Sequence, residues 1–227
     1  MTFKKITHLI YEMDGLLLDT EPIYTEVTQE IVRRFGKNFD WSLKSQMIGK
    51  KAIESAHILV DSLDLPITAE DYLEERKDLL AQKFPLASAL PGARELVQHF
   101  SRHHYPQAVA TSSNQEYYQL KTSRHQDWFC LFDWVVTVDD PEVQQGKPAP
   151  DLFLTAAKRL QALPSQCLVF EDAPVGIEAA SRAGMSVVAV PDPHMDKAAF
   201  GEAQQILNSL REFQPELWGL PPLKIRS

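Results

Sequence analysis

Four carboxylates stand out by position. Glu12 and Asp14 lie two residues apart at the end of an apolar run, and Glu171 and Asp172 close another such run. On an extended backbone, residues two apart project to the same side, so Glu12 and Asp14 share one face and Tyr11 and Met13 take the other. Four acids brought together would repel one another and raise some of their pKa values. A hard divalent cation with oxygen ligands, most naturally Mg²⁺, resolves that repulsion while keeping waters for a phosphate to displace. Thr111, Ser112 and Ser113 offer hydroxyls, and Lys147, in a Gly-Lys-Pro turn, offers a point charge for phosphoryl oxygens. Singly, each feature has an ordinary explanation as a solvated acid, a hydroxyl satisfying backbone or a common turn. Their joint occurrence at the ends of successive elements is what points to chemistry.

Those elements read as an α/β fold. The β-prone residues Ile6 to Tyr11 form a first strand that runs into acids and Gly15. Residues 22–84 read almost wholly as helix, with Ile23, Val27, Ile31, Val32 and Phe35, and then Ile53, Ala56, His57, Val60 and Leu63, at helical spacing. Phe84-Pro85 and Pro91-Gly92 punctuate its exit. Helices over 92–103, 114–124, 150–162 and 174–183 then alternate with strands over 106–111, 134–138, 166–170 and 186–190. Repeated αβ units imply a Rossmann-like parallel sheet covered on both faces. In such sheets, working groups gather at the carboxyl ends of the strands, where Glu12, Asp14, Thr111, Glu171 and Asp172 fall. The Pro-rich tail from Gln214 is expected to run across the surface.

Composition narrows the function class. The chain has 227 residues, 44% hydrophobic and 24% charged, and 31 acidic against 23 basic side chains give a net charge of −8. That acidity argues against a nucleic-acid surface, and no stretch is long enough to span a bilayer. Leu9-Ile10-Tyr11 is broken at once by Glu12, so no secretory segment is read. Cys130 and Cys167 each sit in apolar surroundings, which suits buried thiols in a reducing compartment. A cytoplasmic monomer is expected, with a small phosphorylated metabolite as partner and neither nucleic acid nor membrane.

Four segments in order, Glu12-Met13-Asp14-Gly15-Leu16-Leu17-Leu18-Asp19-Thr20-Glu21, Ala110-Thr111-Ser112-Ser113, Gly146-Lys147-Pro148 and Phe170-Glu171-Asp172-Ala173-Pro174, resemble the motifs of haloacid-dehalogenase-like hydrolases. The resemblance covers nearly the whole chain. It implies a core domain over 1–20 and 86–227 and an α-helical cap over 21–85, similar to the subgroup of β-phosphoglucomutases and small-metabolite phosphatases. Lys121-Thr122-Ser123-Arg124-His125, Asp139-Asp140-Pro141-Glu142-Val143 and Phe213-Gln214-Pro215-Glu216-Leu217 look most like the pseudouridine-5′-phosphatase group. By this resemblance Glu12 takes the place of the attacking Asp, which also touches Mg²⁺. Asp14 protonates the leaving oxygen, activates water and lends its carbonyl to the metal. Thr111 binds phosphate, Lys147 neutralises nucleophile and phosphate, and Glu171 and Asp172 hold Mg²⁺ directly or through water. A nucleoside 5′-monophosphate such as pseudouridine 5′-phosphate is the implied substrate, with a sugar phosphate as the nearest variant.

Glu12 departs from that pattern by one methylene. This moves the carboxylate by about an ångström in a site where 1 Å can cost about 10²-fold. Three readings stay open: a relative that has lost turnover and only binds metal and ligand, an active enzyme whose backbone has retreated, or a deliberately altered sequence. Substrate choice falls to the cap, where Gly49-Lys50-Lys51 occupies the loop in which related caps reach the substrate. Lys50 and Lys51 also read as a solvated charge pair. Asp19–Glu21 and Ala87–Pro91 are the expected hinges, with Gly15 absorbing backbone change. His125 and Lys121, one turn apart, either face a pocket or stabilise their helix, with the second reading ahead, and His8 is expected to be packed or paired.

Overall fold

The computed structural model of the protein describes residues 5–48, 50 and 52–223. In chain order, β1 (His8–Tyr11) and the short β2 (Leu18–Asp19) precede α1 (Glu21–Arg33), α2 (Trp41–Met47), α3 (Ala52–Leu63) and α4 (Ala69–Lys83). There follow β3 (Ser88–Ala89), α5 (Ala93–Arg102), β4 (Gln107–Ala110), α6 (Gln115–Thr122), α7 (Gln126–Phe129) and β5 (Trp134–Val136). The last elements are α8 (Asp151–Arg159), β6 (Cys167–Glu171), α9 (Pro174–Arg182), β7 (Ser186–Ala189) and β8 (Gln205–Ile206). Packing divides the chain into two compact units, Met1–Asp19 with Ser88–Ser227, and Thr20–Ala87.

The first unit is a parallel sheet of order β5-β4-β1-β6-β7-β8. β1 lies inside it, with Leu9 opposite Gln107 and Leu168, and Tyr11 opposite Val109 and Phe170. Side chains alternate between the faces. Ile10, Ala108, Ala110, Val169 and Val187 meet Leu152, Phe153 and Ala156 of α8 and Ile177 and Ala180 of α9. Tyr11 points the other way, stacking on Phe170 at 5.0 Å and meeting Phe132 edge-on. Its hydroxyl donates to Gln107 Oε1 at 3.0 Å, so a fully buried phenol keeps a partner.

The tail packs against the first unit with its larger side chains turned inward. Trp218 is fully buried, its indole N–H donates to Gln205 Oε1, its carbonyl accepts from Ile6 N, and Phe213 packs edge-on to Phe170. The Pro-rich spelling hid alternate residues, Phe213, Pro215, Trp218 and Leu220, that the sheet needs as cover. Cys167 is buried, but Cys130 is exposed at the end of α7, where the short helix turns Trp128 and Phe129 inward instead. Two-residue β2 and β3 pair antiparallel, an addition to the expected elements.

The second unit is helical. α1 buries Ile23, Val27, Thr28, Ile31 and Val32, and its Thr28 hydroxyl bonds Tyr72 of α4 at 2.9 Å. Thr68 caps α4 reciprocally with Asp71, satisfying two amides that a helix start leaves unpaired. α3 turns Ala56 and Leu59 inward and leaves Ile53 exposed, because its neighbours α2 and α4 meet it along a narrower strip than the apolar spacing suggests. Among the described residues, no helix is long and apolar enough to cross a membrane.

Candidate active site

Three strand ends and one turn converge. Glu12 follows β1, and its amide still donates to Phe170 O, so strand pairing fixes its Cα. Thr111 follows β4, tied through its amide to Val136 O. Glu171 is the last residue of β6, and its carbonyl accepts from Val190 N at 2.7 Å. Lys147 comes from the turn ahead of α8, its ammonium lying 4.8 Å from the Phe153 ring centroid.

The Glu12 carboxylate is 5% exposed. Its Oε1 accepts from Thr111 Oγ1 at 2.6 Å, Met13 N at 2.8 Å and Asp14 N at 3.3 Å, while Oε2 is held by Lys147 Nζ. Lys147 also donates to Glu171 Oε1 at 2.7 Å and Ala110 O at 3.3 Å. Glu171 Oε2 accepts the amides of Asp172 and Ala173 at 2.7 and 2.8 Å. One ammonium therefore sits between two buried carboxylates. Burial pushes the Glu12 carboxyl up; Lys147 opposes this, and Glu171 and Asp14 add to it. Burial alone would lower Lys147, but Glu12 and Glu171 together outweigh it and hold the ammonium above its ordinary value. Lys147 thus stays charged at neutral pH.

Glu171 and Asp172 part company. Glu171 is 1% exposed, with its oxygens on Lys147 and two amides, so it anchors Lys147. Asp172 is half-buried and faces the loop after Glu12: a Cβ built on Gly15, where φ is +70°, would lie 3.0 Å from Asp172 Cγ and closer to its Oδ2. Among the described residues, no group of three or more His, Cys, Asp or Glu side chains is arranged to hold a metal alone. The oxygens of Glu12, Asp14 and Asp172 are hard donors that suit a cation taking one or two carboxylates and filling the rest of its shell with water and phosphate.

Asp14 has a different setting. Lys121 Nζ donates to its Oδ1 at 2.6 Å, and Ser113 Oγ donates to its Oδ2 at 2.7 Å while accepting from Lys121 at 2.7 Å. Lys121 is fully buried and turned towards Asp14, which favours the inward-facing one of the two placements open to it. The sequence carried no signal for this, since it is the structure that shows α6 burying Lys121 and Thr122. Ser113 is buried, its hydroxyl committed to Asp14 and Lys121, whereas Ser112 is exposed. His125 begins α7 and accepts from Trp128 Nε1 at 3.4 Å, and His8 Nδ1 bonds Thr7 Oγ1 at 2.8 Å. Lys50 is exposed in the second unit; Gly49 and Lys51 lie outside the described residues.

The chain is 51% identical over 224 residues to (DL)-glycerol-3-phosphatase 2 of Arabidopsis thaliana, covering 96% of this chain and 93% of that one. It is 42% identical over 221 residues to a probable pseudouridine-5′-phosphatase of Drosophila melanogaster, covering 96% of each. A crystal structure of a putative β-phosphoglucomutase from Thermotoga maritima superposes with a TM-score of 0.73 at 29% identity, over 94% of this chain and 97% of that one. Residues 9–190, from within β1 to just past β7 and so spanning all four motif segments, match the haloacid dehalogenase-like hydrolase family, to which this chain belongs.

Proposed function

We propose that the chain is a Mg²⁺-dependent phosphomonoesterase of small phosphorylated metabolites that works through a carboxyl-phosphate on Glu12. The observation that carries this reading is the meeting of Glu12 with Thr111 and Lys147, a nucleophile beside a hydroxyl and a fixed positive charge. The Thr111 hydroxyl and the Lys147 ammonium orient the phosphoryl oxygens and balance their charge. A Glu12 oxygen forms a bond to phosphorus as the bond to the ester oxygen breaks, and Asp14 supplies a proton to that departing oxygen. Water then attacks the same phosphorus, Asp14 takes its proton, and the Glu12 carboxylate is released with inorganic phosphate. Glu12, Asp172 and the Asp14 carbonyl are the groups that would hold Mg²⁺, which when bound would supply charge neutralisation for the phosphoryl group.

The substrate proposed is an alkyl phosphate of a small polyol or nucleoside. The relatives named as glycerol-3-phosphatase and probable pseudouridine-5′-phosphatase support glycerol 3-phosphate and pseudouridine 5′-phosphate as the first two to test. A second reading, binding of metal and phosphate without turnover, is favoured by one observation: Thr111 and Lys147, the proposed phosphate ligands, are both engaged by the longer Glu12 side chain. Phosphate release from both esters and from 4-nitrophenyl phosphate, with Mg²⁺ and with Glu12→Asp in parallel, separates the readings. Turnover by both proteins supports the enzyme, turnover by Glu12→Asp alone supports the binding protein, and turnover by neither defeats the phosphatase reading.

A further inference from the structure

We propose that Lys121 is a positioning residue for Asp14, bracing the acid–base carboxylate from inside the protein; this rests on the phosphatase reading above. The two sides of the ion pair differ in access. The Lys121 side chain is fully enclosed, whereas that of Asp14 is 19% exposed. The ammonium therefore approaches the carboxylate from behind and leaves its front to the solvent side. The nitrogen donates to Asp14 Oδ1 at 2.6 Å and to Ser113 Oγ at 2.7 Å, and the Ser113 hydroxyl donates in turn to Asp14 Oδ2 at 2.7 Å. Both carboxylate oxygens are thus held by donors fixed to a different strand end and helix from their own. A carboxylate gripped at both oxygens cannot rotate about its terminal bond without breaking two charge-assisted hydrogen bonds.

The brace is itself rigid. Lys121 stands in the last turn of α6 with its ammonium 5.7 Å from the Tyr117 ring centroid, one turn back on the same helix. α6 begins at Asn114, whose side chain caps Tyr117 N at 2.8 Å, directly after Ser113. Lys121 and Ser113 are therefore set by one capped helix start, and their spacing is independent of the Asp14 loop. A buried ion pair serving stability alone has no need to leave its carboxylate open on one side, two residues from the nucleophile.

The test compares the chain with Lys121→Met, which keeps the stem and removes the ammonium. kcat/KM covers events up to phosphoryl transfer, in which an alkyl leaving oxygen needs its proton and 4-nitrophenolate does not. General acid catalysis contributes about 10²-fold or more, so kcat/KM for glycerol 3-phosphate should fall about 10²-fold and that for 4-nitrophenyl phosphate less than about 5-fold. The Kd for inorganic phosphate should not change, because Lys121 donates to Asp14 and Ser113, and Ser113 Oγ is itself turned to Asp14, whereas the proposed phosphate ligands are Thr111 and Lys147. Ser113→Ala should show the same skew at smaller size, and serves if Lys121→Met does not fold. Equal losses on both esters, or none, overturn the proposal. If the unaltered chain turns over neither ester, the phosphatase reading falls, and crystal structures of the chain and of Lys121→Met decide the positioning claim: a rotated Asp14 carboxylate supports it and an unmoved one overturns it.

Discussion

Glu171 lies so close over Gly176 that a Cβ built at position 176 would overlap its carboxylate, with Oε2 2.6 Å away. The glycine in the first turns of α9 is thus the floor on which the partner of Lys147 rests. Gly176→Ala must push Glu171 off the amides of Asp172 and Ala173 or off Lys147. Overpacking of this kind costs about 1–3 kcal/mol. A urea unfolding midpoint unchanged by Gly176→Ala would show that the floor yields instead.

Lys147 separates two buried carboxylates, so its removal leaves like charges facing one another. Lys147→Met is expected to destabilise the fold by about 3–5 kcal/mol at neutral pH. The pH dependence follows from Glu12, whose carboxyl burial already pushes up and Lys147 pulls back. Without the ammonium, the folded-state pKa rises further above that of the unfolded chain. The stability of the variant is then greatest below the unfolded carboxylate pKa and is lost as pH rises through the folded one. Urea unfolding at pH 5 and pH 8 should show a larger gap between parent and variant at pH 8; equal gaps would mean that another group compensates the acids.

The thiols should differ sharply in reactivity. Cys130 is exposed, whereas burial pushes Cys167 up to about 12. A disulfide reagent at pH 8 should modify one thiol in the folded protein and two in denaturant, since the thiolate is the reacting form. The same shift removes stability as pH climbs from the unfolded thiol pKa towards 12, because only the unfolded chain ionises in that window. Two fast-reacting thiols in the native protein would contradict the packing around β6.

Much of the fold was legible because buried parallel strands leave continuous apolar runs, and Val187-Val188 or Leu168-Val169-Phe170 admit few other readings. β8 and the β2–β3 ribbon escaped notice, since two residues carry no period and are held by partners far off in the chain. Glu12, Thr111, Lys147 and Glu171 could be picked out because each closes a strand or fills a turn. Lys121 could not be valued the same way: a lysine in a helix ordinarily faces water, and its partner Asp14 precedes it by 107 positions. The division of work between Glu171 and Asp172 was equally hidden, since it depends on the absent Cβ atoms of Gly176 and Gly15.

The central placement of β1 sets an order on synthesis. It is made first among the strands, yet both of its neighbours lie far downstream, at Gln107–Ala110 and Cys167–Glu171, and the carbonyl that receives Ile6 N belongs to Trp218. On a ribosome, the segment bearing Glu12 and Asp14 therefore emerges before either neighbouring strand exists to pair with it, and its contacts are completed only once Trp218 has been translated.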